Sequence, residues 1–132
     1  MEDSIFTRII KGEIPCHKIY EDEYTFAFLD IHPIQPGHVL VVPKQSGGFV
    51  WDLDDKNYQA LMSSVKKVGN RIKQVLSEKK RVGVMVEALD VTDHAHVHVF
   101  PFNTPEEYRN VPDSSVEPDH EALAKMAARL AF

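Results

Sequence analysis

Three histidines occupy alternate positions in the segment His94-Ala95-His96-Val97-His98. In an extended strand alternate side chains share a face, so these three imidazoles project together at intervals of about 6.5–7 Å. Ala95, Val97 and Val99 then face the other way, where they can pack on a helix. A row of this kind suits two chemistries. Neutral imidazoles at alternate strand positions can converge on one metal ion. Alternatively, one ring nitrogen attacks phosphorus while the other, as N–H, is held by an acceptor that fixes the tautomer; neighbouring imidazoles then donate to phosphate oxygens or protonate a leaving group. Spacing alone admits both.

The elements that must position this row read as follows. Ser4 to Ile10 forms a short helix capped by Ser4, with Ile5, Phe6, Ile9 and Ile10 as its apolar side and Gly12 at its end. Lys18–Glu21 and Tyr24–Asp30 make a hairpin. The run His38-Val39-Leu40-Val41-Val42, stopped by Pro43, suits a strand buried on both faces. A long helix spans about Asp54 to Ser77, its stripe formed by Tyr58, Leu61, Met62, Val65, Val68, Ile72, Val75 and Leu76. Its lysines and arginines form a solvated face favourable to the helix dipole. Arg81–Glu87 and His94–Phe100 are two further strands, the second ended by Pro101. Residues 103 to 117 are a polar loop or arm, and Pro118 to Leu130 is a last helix. The expected class is α+β: an antiparallel sheet of about five strands with one long helix and short flanking helices. A single domain spans residues 1–132, with a core over 4–101 and a C-terminal arm and helix over 102–132.

The 132 residues include 15 basic and 20 acidic ones, a formal charge of −5, which argues against a sequence-independent grip on DNA or RNA. Hydrophobic residues at 43% and charged residues at 27% fit a soluble globular protein. The single cysteine, Cys16, excludes an internal disulfide and a cysteine-rich zinc site. Met1-Glu2-Asp3-Ser4 lacks the start of a signal peptide, and no run approaches the roughly 20 apolar residues of a membrane span. A cytoplasmic protein is expected.

Ser4-Ile5-Phe6-Thr7-Arg8-Ile9-Ile10-Lys11-Gly12-Glu13-Ile14-Pro15 is similar to the opening of histidine triad (HIT) proteins. Glu21-Asp22-Glu23, Phe26-Ala27-Phe28-Leu29-Asp30-Ile31 and Pro36-Gly37-His38-Val39-Leu40-Val41-Val42-Pro43-Lys44 continue the likeness in order, and His94 to Phe100 has the form of the triad itself. The chain resembles most the Hint-type, nucleotide-binding branch. That resemblance implies a nucleotide phosphoramidase, or nucleoside-monophosphate-releasing hydrolase, in which His96 takes up the nucleotidyl group. It implies that His94 holds the tautomer of His96 and relays a proton, that His98 contacts the phosphate, and that His38 completes the relay. Asp30 would bind ribose hydroxyls, and Ile5, Phe6, Ile9, Phe28 and Ile31 would wall the base pocket. A purine-type nucleotide substrate and a homodimer joined sheet edge to sheet edge are further implications, with no cofactor, no nucleic acid and no membrane as partner.

The chain departs from the family in two places. Where many bacterial members carry Cys-x-x-Cys for a structural zinc, this sequence has Ser4 and Thr7, with Ser46 at a further ligand position, so no metal is expected. Before the triad, an asparagine and a Gly-rich turn are replaced by Val86-Glu87-Ala88-Leu89-Asp90-Val91-Thr92-Asp93. Glu87 is expected at the asparagine position and Thr92 as a hydroxyl for the nucleotide, while Asp90 and Asp93 would repel a polyanion if they point inward. Alternative readings are a dinucleoside polyphosphate hydrolase, a nucleotide-binding protein with little catalysis, and a metal-dependent hydrolase ligated by His94, His96 and His98. Cys16, His17, His32 and His120 read as surface or loop residues.

Overall fold

The computed structural model describes residues 3–132; the opening Met1-Glu2, read above for the absence of a leader, lies outside the described residues. Five strands form one antiparallel sheet in the order β1-β2-β3-β5-β4: β1 (Lys18–Glu21), β2 (Thr25–Leu29), β3 (Val39–Pro43), β4 (Arg81–Met85) and β5 (Val97–Phe102). Among the described residues no helix is long and apolar enough to cross a membrane.

The two faces of this sheet follow from residue parity. Ala27, Leu29, Val39, Val41, Val97 and Val99 point to one face and meet Leu61, Val65, Val68 and Ile72 of the long helix α2 (Asp55–Val75). Phe26, Phe28, Leu40 and Val42 point to the other and meet Phe6 and Ile9 of α1 (Ile5–Ile10). Both faces of β2 and β3 are therefore buried, as the unbroken apolar run of β3 required. His38, His96 and His98 share parity with the α1 face, so the sheet itself sends the imidazoles away from α2.

Caps fix the helix ends. Asp54 accepts the backbone N–H of Asn57 at the start of α2, at 2.8 Å. Ser4 accepts that of Thr7 in α1 at 3.0 Å, and Gly12, at φ 81°, turns the chain away. α1 buries Phe6 and Ile9, the middle of its apolar arc, and leaves Ile5, at the edge of that arc, half exposed.

Two strand bounds differ from expectation. β5 begins at Val97, and His94 makes only an isolated bridge to Gly47. The strand also runs through Pro101, which pairs with Val82 of β4. Its ladder with β3 stops at Val99, leaving one side of β5 without a partner strand where a proline is tolerated.

The C-terminal residues complete the α2 layer. Leu123 and Leu130 of α4 (His120–Leu130) enter its core, and Arg71 donates to the carbonyls of Arg129, Leu130 and Ala131. Tyr108, in the short helix α3 (Pro105–Tyr108), packs on Phe100 and Phe102.

Candidate active site

His38 stands at the head of β3, where Gly37 bends the chain at φ 95°. Its Nδ1 accepts the backbone N–H of Ile34 at 2.9 Å, so the proton of the neutral ring sits on Nε2. That Nε2–H points at Nδ1 of His98, 2.9 Å away, and makes it an acceptor. His98 therefore carries its own proton on Nε2, which donates to Oε1 of Glu87 at 2.8 Å. One backbone amide thus sets the tautomer of two imidazoles and ends the chain of donors on a carboxylate.

His96 is fixed separately. Its Nδ1–H donates to the backbone carbonyl of His94 at 3.0 Å, which leaves the Nε2 lone pair free, 3.8 Å from Oε1 of Glu87. Burial lowers the pKa of His96 and that of His94, and both rings are neutral at neutral pH. Burial, with His98 alongside, pushes His38 down to about 3. The 3.7 Å approach of Asp30 Oδ2 to His38 Nε2 is accordingly no ion pair.

The imidazole of His94 does not touch that of His96 in the manner expected. Its Nε2–H donates to the carbonyl of Pro43 at 2.8 Å, and its Nδ1 accepts Ser4 Oγ–H at 2.7 Å, with Thr7 Oγ1 at 3.3 Å. The backbone of His94, not its ring, orients His96; the ring ties the start of α1 to the end of β3. The residues at the family's zinc positions do not fit that ion, since neutral hydroxyls are poor zinc ligands and Ser4 already takes the His94 lone pair.

Two clefts meet at His96 and Glu87. The larger, of about 270 Å³, is lined by Ile5, Phe6, Ile9, Phe28, Asp30, Ile31, Glu87, His96 and His98, among others. Asp30 lies at the end of β2, with Oδ1 accepting the N–H of His32 at 2.9 Å; burial raises its carboxyl above the usual range. The smaller cleft, of about 220 Å³, opens on the other flank of His96 between Phe49, Trp51, Val86 and Ala88. Trp51 is 74% exposed, in the 3₁₀ turn Val50–Asp52.

Of the expected nucleotide-contacting residues only Thr92 is absent from both clefts. Val91 takes the inward position against the Phe6 cluster, so Thr92 beside it is turned out to solvent. Sequence reasoning missed Ile14, Pro15, Cys16, Leu40 and Val91 in the larger cleft and Phe49 and Trp51 in the smaller. For the cleft-facing Cys16, burial pushes the thiol up, which keeps it protonated. The one usable signal was the lone tryptophan in a polar loop.

The HIT domain pattern matches residues 11–104. Adenosine 5'-monophosphoramidase hnt1 of Schizosaccharomyces pombe is 38% identical over 101 residues, covering 74% of this chain and 72% of that protein. An uncharacterized HIT-like protein of Borreliella burgdorferi is 37% identical over 106 residues, covering 76% of each. Among solved structures, a Hit-like protein from Bartonella henselae superposes with a TM-score of 0.80 at 28% identity, covering 97% of this chain and 94% of that one. With the triad leading into β5, the Pro-Gly-His entry to β3 and the matching five-stranded sheet, the chain belongs to the histidine triad family.

Proposed function

We propose that this protein hydrolyses a nucleoside monophosphate joined to an amine through a P–N bond, by way of a nucleotidyl group carried on His96. The observation that carries this reading is the free Nε2 lone pair of His96, held by the His94 carbonyl at the meeting point of two clefts. The nucleoside occupies the larger cleft, its base among Ile5, Phe6, Ile9, Phe28 and Ile31 and its ribose at Asp30. Nε2 attacks phosphorus, the P–N bond breaks, and water then cleaves the P–Nε2 bond to release the nucleoside monophosphate. The developing imidazolium is stabilised by its Nδ1–H on the His94 carbonyl, while His98 Nε2–H stays on Glu87 Oε1 beside the phosphate. The leaving amine extends into the smaller cleft beside Trp51. The relatives named as adenosine 5'-monophosphoramidases favour a purine nucleotide.

The same tautomers weigh against metal hydrolysis. Glu87, His96 and His98 bring one potential ligand atom each within 4.8 Å of one another. For His98 Nε2 to bind an ion its proton would have to move to Nδ1, which faces the Nε2–H that Ile34 imposes on His38. A homodimer fits the free edge of β4, where Val84 and Val86 are exposed.

The test is turnover of adenosine phosphoramidate in chelator by wild type and His96→Ala. Metal-free release of adenosine monophosphate, lost in the variant, is expected. Turnover surviving in His96→Ala, or appearing only with added zinc or manganese, would overturn the reading.

A further inference from the structure

The hydrogen bonds around His38 and His98 leave the reaction without an obvious proton carrier, and Glu87 stands where one is needed. His98 cannot give up its Nε2 proton and be resupplied through His38, because His38 would then hold no N–H at all, its Nδ1 being committed to Ile34. Nor can His98 hold both protons, since its Nδ1–H would meet the Nε2–H of His38 head on. The His38–His98 pair is a fixed donor rather than a shuttle. Glu87 is different. Its Oε1 lies 3.8 Å from the attacking nitrogen of His96, it lines both clefts, and it is only partly buried, in contact with solvent. Its two oxygens accept single bonds, from His98 Nε2–H at 2.8 Å and from Leu89 N–H at 3.2 Å, which leaves lone pairs on each free.

We propose that Glu87 is the catalytic acid and base of this site, loaded with its proton by the substrate itself. This rests on His96 being the nucleophile. An anionic phosphoryl group seated over His96 comes within a few ångströms of the carboxylate, and like charges at that separation favour proton uptake. The other charged or titratable groups facing Glu87 are His96 and His98 from the triad segment, His94 across the smaller cleft, and Asp90, Asp30 and the neutral thiol of Cys16 across the larger. The two aspartates push in the same direction as the phosphoryl group; the histidines are held neutral or as fixed donors by the bonds described above. In the first step His96 Nε2 forms its bond to phosphorus, the P–N electron pair goes to the departing amine, and the Glu87 O–H proton goes with it. In the second step water attacks phosphorus, its proton passes to the Glu87 carboxylate, and the P–Nε2 pair returns to His96. Glu87 ends each turnover protonated, as it began, and releases that proton when the product anion leaves.

Glu87→Gln keeps an oxygen for His98 Nε2–H, gives up the longer bond from Leu89 N–H, and carries no mobile proton. Two substrates separate the steps: an adenosine phosphoramidate of an alkylamine, which needs a proton to leave, and adenosine 5'-phosphorofluoridate, whose fluoride does not. The variant is expected to lose roughly 10²–10⁴-fold in turnover of the amine substrate. With the fluoridate it should release a rapid burst of one fluoride per site and then slow, because the nucleotidyl-His96 lacks a base for water. Binding of adenosine monophosphate to wild type, measured calorimetrically in buffers of different ionisation heat, should take up close to one proton, and to Glu87→Gln none. Equal losses in the first step on both substrates, or undiminished turnover of the amine substrate, would overturn the assignment. Inactivity of wild type on both, with no label trapped on His96, would instead overturn the nucleophile on which it rests.

Discussion

Acidification should weaken this fold through His38, by an amount the structure fixes. His38 is buried, and its pKa is pushed down to about 3, against about 6.5 in an unfolded chain. Between those values the unfolded state binds the extra proton, so stability is complete above pH 6.5 and falls as pH drops towards 3. Integrating from pH 7.5 to pH 5 gives a loss of about 2 kcal/mol from this residue, rising to about 5 kcal/mol below pH 3. His94 and His96, also lowered by burial, add to the loss, while Asp30, raised by burial, opposes it. His38→Gln removes one titration and leaves these others in place. Urea unfolding at the two pH values should therefore show a pH-dependent loss about 2 kcal/mol smaller in the variant than in wild type. Nitrogen NMR of the histidine rings reads the cause directly: Nδ1 of His38 unprotonated and Nε2 protonated, unchanged down to pH 5. A His38 midpoint near 6.5, or equal pH dependence in the two proteins, would refute both the neutral ring and the tautomer chain built on it.

Three further outcomes test separate parts of the site. Asp30→Asn should raise KM for a ribonucleotide phosphoramidate on the order of tenfold, the worth of one charged hydrogen bond. It should leave the 2',3'-dideoxy analogue unaffected, and an equal effect on both would remove Asp30 from the ribose. Trp51→Ala should raise KM roughly threefold to tenfold for an aromatic amine leaving group and change little for ammonia as leaving group. A uniform change would place the leaving group elsewhere. Ser4→Ala removes both the α1 cap and the partner of buried His94 Nδ1, and should cost about 2–3 kcal/mol in urea unfolding. A loss below about 0.5 kcal/mol would mean that the His94 ring has found another donor.

The two-faced sheet was legible because strand parity is a local property. The alternation of His94, Ala95, His96, Val97 and His98 told which residues would meet the long helix and which would not, even though the regular ladder begins only at Val97. The α2 stripe was legible for the same reason at period 3.6, apart from Ser64, whose burial depends on Thr25 and Asp22 from a hairpin some 40 residues away. The work of the His94 ring was not legible, because its partners Ser4 and Pro43 are joined to it only by the closed fold. Glu87 was visible as a departure from the family's asparagine, but its reach to His98 required the turn through Ala88, which adopts φ 49° where a glycine would be unstrained.

The deepest gap concerns Ile34. Its side chain carries no chemistry, yet its backbone N–H decides which nitrogen of His38 is protonated, hence which nitrogen of His98, hence that the chain of donors points at Glu87. Substituting the Ile34 side chain leaves that amide in place, so a scan by residue type would pass over it. The loop Ile31-His32-Pro33-Ile34-Gln35-Pro36-Gly37 must therefore be read as part of the site: Gly37, where an added Cβ would lie 2.8 Å from Leu76 Cδ1, holds the turn that presents the Ile34 amide to the ring. Reactivity at His96 belongs to side chains, but the direction in which protons can move around it is set by backbone.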